Sequence, residues 1–186
     1  LLQPLLIVLA VALVFGQTVG FEFVAWDDGE NITKNPYLNP VSLRSVSRFW
    51  VEPYFFIYVP VTYTVWGLLA WISELLQPGG GPMPALFHLS NVLVHTVNAL
   101  LVYRLLVFFM GRGWAACAGA LLFALHPLQV ENVAWVSGMM HLLAGSLSLT
   151  SLWLYLLHAR RAQAVASLRS RRVPYWAALG LFLLAL

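Results

Sequence analysis

The sequence predicts an all-α polytopic membrane protein: about five transmembrane helices, with a long loop on one face that carries short juxtamembrane helices. Three observations predict it. Apolar residues make up 61% of the chain and charged residues only 9%, far from the roughly 25% charged composition of soluble domains. Several apolar stretches approach the roughly 20 residues that cross a hydrocarbon core, and Pro, Gly, Asn and Arg punctuate them. All seven acidic residues fall toward one side of the resulting topology, and most arginines fall on the other.

Leu5 to Val19 is an uncharged apolar run that, with its flanks, gives a first span over residues 4–20. A signal peptide is the competing reading, but a basic leading region and a small-x-small cleavage site are missing. Residues 21–53 hold Glu22, Asp27, Asp28, Glu30 and Glu52, with Asn31, Asn35, Pro36, Asn39 and Pro40 as turn formers, so they read as a solvent-side loop. Inside it, Ser42 is placed to cap a short amphipathic helix. Val41, Val46, Phe49 and Trp50 are its apolar positions, and Arg44 and Arg48 lie on its wet face. Tyr54 to Leu76 is long enough to cross, but Pro60 interrupts it, aromatic residues crowd its first half and Gln77-Pro-Gly-Gly-Gly-Pro closes it. An interfacial or re-entrant placement competes there with a crossing.

Further spans are expected at 85–110, 114–126, 136–158 and 175–186. With Tyr54 to Leu76 on the surface, residues 21–84 and 127–135 share the outer face, and 111–113 and 159–174 the cytoplasmic one. The positive-inside rule then puts the loop with Arg160, Arg161, Arg169, Arg171 and Arg172 in the cytoplasm. Were that segment a true crossing, Glu131 would share a side with the arginines. The segregation therefore favours one membrane domain over 1–186, taken as a multi-pass protein of a bacterial inner membrane with periplasmic acidic loops. The chain opens on Leu1 rather than Met and stops within an apolar run, as a piece of a longer protein would.

Several functions are disfavoured at once. The formal charge of +3 comes from arginines dispersed or placed past helix ends, without an aromatic platform for bases, which argues against nucleic acid. The single Cys117 excludes an intrachain disulfide. His126-Pro-Leu-Gln-Val-Glu131 lacks the H-E-x-x-H spacing of a zinc helix. A transporter would show paired broken helices, and none is visible.

Three groups of residues remain as candidates. Asp27 and Asp28 follow the first span beside Trp26, where a half-buried carboxylate can act as a general base toward a lipid-borne substrate. The same pair can equally be a solvated turn, with Asp28-Gly29 as its dipeptide. His88, Asn91, His95 and Asn98 form one polar stripe down an apolar helix, either lining a wet cavity or holding the bundle together by hydrogen bonds. His88 and His95 are two turns apart, too far for one metal ion. Finally, His126 and Glu131 lie in the second outer loop, on the same face as Asp27 and Asp28.

Taken in order, several segments resemble a known family: Trp26-Asp-Asp28, Asn35-Pro-Tyr-Leu38, Tyr58-Val-Pro-Val-Thr62, His88-Leu-Ser-Asn91 and Phe123-Ala-Leu-His-Pro-Leu-Gln-Val-Glu-Asn-Val-Ala-Trp-Val-Ser-Gly138. The resemblance is to the transmembrane part of the tetratricopeptide-repeat O-mannosyltransferase-like membrane proteins, of the C-type glycosyltransferase superfamily, and it covers most of residues 20–158. It implies a multi-span sugar transferase with a polyprenyl-phosphate donor. Asp27 or Asp28 would be the catalytic base, and His88, Asn91, His126 and Glu131, with Tyr58 and Thr62, would line the donor or substrate pocket. It also implies a re-entrant Tyr54 to Leu76. No cofactor is firmly indicated, and a divalent cation stays an open alternative. Membrane lipid, the polyprenyl-linked sugar and other membrane proteins are the expected partners. One departure stands out: the resemblance calls for Arg then an acid after Gly138, where this chain has Met139 and His141. Methionine cannot pair with a phosphate, so a non-catalytic membrane subunit packed in a larger complex is the alternative.

Overall fold

The computed structural model describes residues 2–164 and 172–185. Among them the regular structure is helical, and β pairing is limited to two isolated bridges. Helix α1 spans Leu2–Phe15 and continues as a tighter 3₁₀ turn over Gly16–Gly20; the two together form one of three helical stretches long and apolar enough to cross a membrane. The other two contain α4 (Pro84–Met110) and α7 (Met139–Ala164). Two shorter apolar helices, α5 (Gly113–Ala124) and α8 (Arg172–Ala185), stand where two further spans are expected. Twelve residues of α5 reach only about 18 Å, well short of a roughly 30 Å core. Arg169 and Arg171 of the arginine-rich loop lie outside the described residues.

The remaining helices belong to the segments that carry the acidic residues. Ser42 caps α2 (Leu43–Arg48) through a reciprocal capping box with Ser45, as its position predicts, and Phe49 behind it is buried. Helix α3 (Pro60–Leu76) opens with Pro60 at its first position, where the missing N–H costs nothing. The proline that interrupts the apolar run in sequence therefore starts a helix. α2 lies across α3 at Gly67, where an added Cβ would stand 2.6 Å from Val46 Cγ2. Helix α6 (Gln129–Ala134) is a single short element before α7. Gly111, at φ +63°, ends α4 in the left-handed conformation and lets α5 turn back beside it.

Two apolar cores result. One joins Ile7, Val11 and Phe15 of α1 to Val92, Ala99 and Tyr103 of α4 and to the small residues Ala116, Cys117 and Ala120 of α5. The other lies under the first loop, where Ile32, Leu38, Phe49, Tyr63 and Trp66 meet Phe87, Val136 and Met139. Phe49 and Tyr63 stack at 4.1 Å, and the Tyr63 hydroxyl donates to Asn31 Oδ1 at 2.6 Å.

Helix α4 is polar inward and apolar outward. His88, Asn91, His95 and Asn98 are buried, whereas Leu89, Leu93 and Val97 are exposed. That arrangement suits a lipid solvent and would be unstable in water. The inward groups hold broken neighbours together. Asn91 Nδ2 donates to the Trp135 carbonyl just past α6, and the His95 ring donates to the Ala124 carbonyl at the end of α5, 2.9 Å away. Asn98 Nδ2 reaches the Leu142 carbonyl at 2.9 Å and Ser146 Oγ donates back to Asn98 Oδ1. In hydrocarbon no water is available to a buried amide or imidazole, so each of these side chains needs a partner within the protein. Of the three acceptors, the Ala124 carbonyl is the one left over at a helix end, whereas Leu142 lies within α7 and the Trp135 carbonyl also accepts the Gly138 N–H at 3.1 Å.

Replacing Asn98 by Leu removes the side-chain donor to the Leu142 carbonyl and the acceptor of the Ser146 hydroxyl. The expected cost is about 1–3 kcal/mol, read as a lower thermal midpoint in detergent. Asn91→Leu is expected to loosen the junction of α6 and α7 by a similar amount, seen as faster amide exchange around Trp135.

Candidate functional site

The first acidic loop and the second meet above the N-terminal ends of α4 and α7. Past the 3₁₀ turn Gly16–Gly20 the chain runs without regular structure over residues 21–24, turns at Ala25 and Trp26, and then forms a single π-type turn over Gly29–Thr33. Asp28 is pulled beneath this turn and is only 1% exposed. Its Oδ2 accepts the Val24 N–H at 3.1 Å. Its Oδ1 accepts the Ser137 N–H at 2.9 Å and the Ser137 hydroxyl at 2.6 Å. Ser137 lies in the short 3₁₀ turn Val136–Gly138 that leads into α7, so one carboxylate ties the two loops together. Gly138 lets this turn pack directly on α6, because a Cβ there would sit 2.2 Å from the Asn132 carbonyl oxygen.

Asp27 is differently placed. It is half-buried and lines a cavity of about 320 Å³ with Asn31, Phe55, Ile57, Glu131, Asn132, Trp135, Ser137, Gly138, Met140 and His141. The two adjacent acids therefore part company: Asp28 is spent on three hydrogen bonds and Asp27 faces open space. Glu131, exposed on α6, joins Asp27 there, as the shared face predicts. Asn31 also accepts the Tyr63 hydroxyl. Burial, with Tyr54 adding to it, pushes the Tyr63 phenol up from its ordinary value, so it remains a donor.

The other sequence candidates lie elsewhere. His88 is buried below the loop, its Nε2 3.4 Å from the Glu22 carbonyl, and Asn91 is engaged in the α6–α7 junction. His126 is exposed before α6 and accepts the Leu128 N–H at 3.3 Å through Nδ1. Tyr58 and Thr62 line an adjoining apolar groove of about 200 Å³ between α3, α7 and α8. Met140 belongs to both spaces, so groove and cavity are neighbours.

Charge in the cavity is lopsided. Asp27 and Glu131 are acidic, and His141 is the one lining residue able to become positive. Lys34 pairs with Glu30 at 2.6 Å and Arg48 with Glu52 at 3.6 Å, both on the surface. Met139, where the resemblance calls for arginine, is fully buried in the second core. The first turn of α7 thus gives its apolar side chain to the packing and His141 to the cavity. Among the described residues there is no group of three or more His, Cys, Asp or Glu side chains able to hold a metal ion.

Sequence reasoning did not assign Asn31, Phe55, Asn132 or Trp135 to the site. Asn132 and Trp135 stood within the quoted motif, but the fold of α6 decides which of its residues face the space. Phe55 carried no signal beyond being aromatic.

This chain is 38% identical over 148 residues to the protein O-mannosyl-transferase Tmtc2 of Drosophila melanogaster, which covers 77% of the chain and 15% of that protein. It is 30% identical over 166 residues to a protein O-mannosyl-transferase of Caenorhabditis elegans, covering 83% of the chain and 23% of the relative. With TMTC2 of Mus musculus it shares 35% identity over 79 residues, 42% of the chain and 9% of that protein. The chain is homologous to part of the protein O-mannosyl-transferases. It is a glycosyltransferase-like membrane protein, spanning less than a quarter of the length of each of these relatives. No family model matches it and no solved structure does. These relatives are animal proteins, so the expectation of a bacterial inner membrane has no support from them.

The two aspartates are separable by stability. Asp28→Asn replaces one accepting oxygen by a donor beside N–H groups, and a loss of about 1–3 kcal/mol is expected in thermal unfolding. Asp27→Asn, at the cavity wall, is expected to leave the midpoint within about 0.5 kcal/mol of the parent.

Proposed function

We propose that this chain is the membrane segment of a sugar transferase that moves a glycosyl group from a polyprenyl-phosphate donor to an acceptor hydroxyl at the outer membrane face. The observation that carries the proposal is the division of labour between Asp27 and Asp28. A catalytic base has to be held firmly yet keep its own oxygens free. Asp28 does the holding, through Ser137, and Asp27 next to it keeps its carboxylate toward the cavity.

In the reaction, the Asp27 carboxylate takes the proton of the acceptor hydroxyl as its oxygen attacks the anomeric carbon. The bond from that carbon to the donor phosphate oxygen breaks, and the polyprenyl phosphate leaves with the electron pair. Phe55 and Trp135 offer apolar faces to a sugar ring, and Asn132 offers an amide to its hydroxyls. The adjoining groove between Tyr58, Thr62, Leu143 and Leu147 supplies an apolar surface for the lipid part of the donor.

A second reading has its own observation. No lysine or arginine lines the cavity among the described residues, and a departing phosphate is normally met by such a charge. A non-catalytic membrane subunit with the same architecture would have no need of one.

The test uses the full-length protein in native membranes with a polyprenyl-phosphate sugar donor. Asp27→Asn is expected to lower transfer by about a hundredfold or more while expression and thermal midpoint stay unchanged. Full transfer by a folded Asp27→Asn protein would overturn the transferase reading, and absence of transfer by the parent would favour the subunit.

A further inference from the structure

The turn over residues 54–57 breaks a local rule. Tyr54 and Ile57 exchange backbone hydrogen bonds of 3.0 Å in both directions, leaving Phe55 and Phe56 as the two central residues of a tight hairpin. Both have positive φ, +45° and +67°. Asn-Gly fills such a turn with little strain, and a bulky aromatic residue there is an outlier. Two in succession require a compensating contact. Phe55 is seated in the cavity wall, but Phe56 is 97% exposed and its one aromatic neighbour among the described residues is the Phe55 ring, at a centroid distance of 5.9 Å.

Depth identifies what covers it. Tyr58 to Thr62, the residues that follow the turn, share a groove with Leu143, Ala144 and Leu147 of α7. The candidate span in α7 begins at Val136, so Leu143 lies about 10 Å along it. The chain thus descends from the turn into the level of the bilayer, and the turn itself lies near its boundary. Its exposed neighbours in sequence suit that depth: Val51 is 85% exposed, and Trp50 and Tyr58 are each about half exposed. Trp50 donates to Thr64 Oγ1, and the Tyr58 hydroxyl to the Trp50 carbonyl, so the rings present apolar bodies with their polar tips satisfied. Aromatic side chains with that character collect where lipid meets water.

We propose that Phe56, at the tip of this strained turn, is an interfacial anchor that inserts into the lipid surface on the acidic side of the membrane. Phe55 and Ile57 line the cavity from the same turn. The anchor therefore fixes one wall of the cavity relative to the bilayer, the level at which a lipid-borne substrate arrives. The occupant is lipid, and its recognition is apolar insertion at a headgroup boundary.

The experiment places an environment-sensitive NBD fluorophore on Phe56→Cys in the full-length protein, with Cys117 and every cysteine outside this chain replaced by Ser so that the probe has a single site. The protein is reconstituted in phosphatidylcholine nanodiscs with and without brominated acyl chains. Blue-shifted emission, and loss of intensity with the brominated lipid approaching that of a probe at the lipid-facing Leu93→Cys, is the expected result. Emission matching a probe at exposed Thr33→Cys, red and unquenched, would overturn the proposal, as would blue-shifted emission without bromine quenching, which would mean a protein contact. Val51→Cys, read in the same way with Phe56 intact, guards against relaxation of the turn in the first variant, and an unquenched probe there also counts against the anchor. Sugar transfer is not measured, so the outcome is independent of the transferase reading.

Discussion

The architecture depends on one constraint: a polar group inside a membrane has to find its partner within the protein. This chain breaks its helices repeatedly near α4. Helix α5 ends at Ala124, α6 lasts less than two turns, and a 3₁₀ turn precedes α7. At these interruptions α4 presents one inward polar side chain per turn: His95 takes the carbonyl left over at the end of α5, Asn91 joins the Gly138 N–H on the Trp135 carbonyl, and Asn98 pairs with Leu142 and Ser146 inside α7. Asn91 and His95 thereby tie the short elements of the acidic face to α4, and Asn98 ties α7 to it.

That constraint also resolves what the polar stripe is for. A row of His and Asn down an apolar helix reads equally well as a wet cavity or as a set of interhelical fasteners, because periodicity records only which face is polar. The partners decide. Asn91, His95 and Asn98 all donate to backbone carbonyls of other elements, whereas the open cavity lies above, bounded by the loops. Function in this region is displaced from the spans to the connections between them.

Much of the fold is legible in residues 1–186 because lipid imposes simple rules: apolar runs of sufficient length, breakers between them, and charges kept out. The capped helix at Ser42 is legible for a similar reason, since its signal is local. The site is less so. That Asp27 and Glu131 face one space follows from which side their loops share, but the fate of Asp28 hinges on Ser137, far away in the chain. No local pattern records such a pairing. The buried position of Met139 and the cavity position of His141 also arise from how the 3₁₀ turn feeds α7, which hydropathy does not resolve.

The bond between Asp28 and Ser137 joins residues 109 positions apart, and this has a consequence for the order of assembly. Synthesis delivers α1 and the first loop long before the start of α7 exists, so throughout that interval the Asp28 carboxylate has no Ser137 to accept from. The loop can take its final form only when three long helices have entered the bilayer. Maturation of the acidic face is therefore timed by the last of them, and the cavity walls are not all present until the start of α7 has been made.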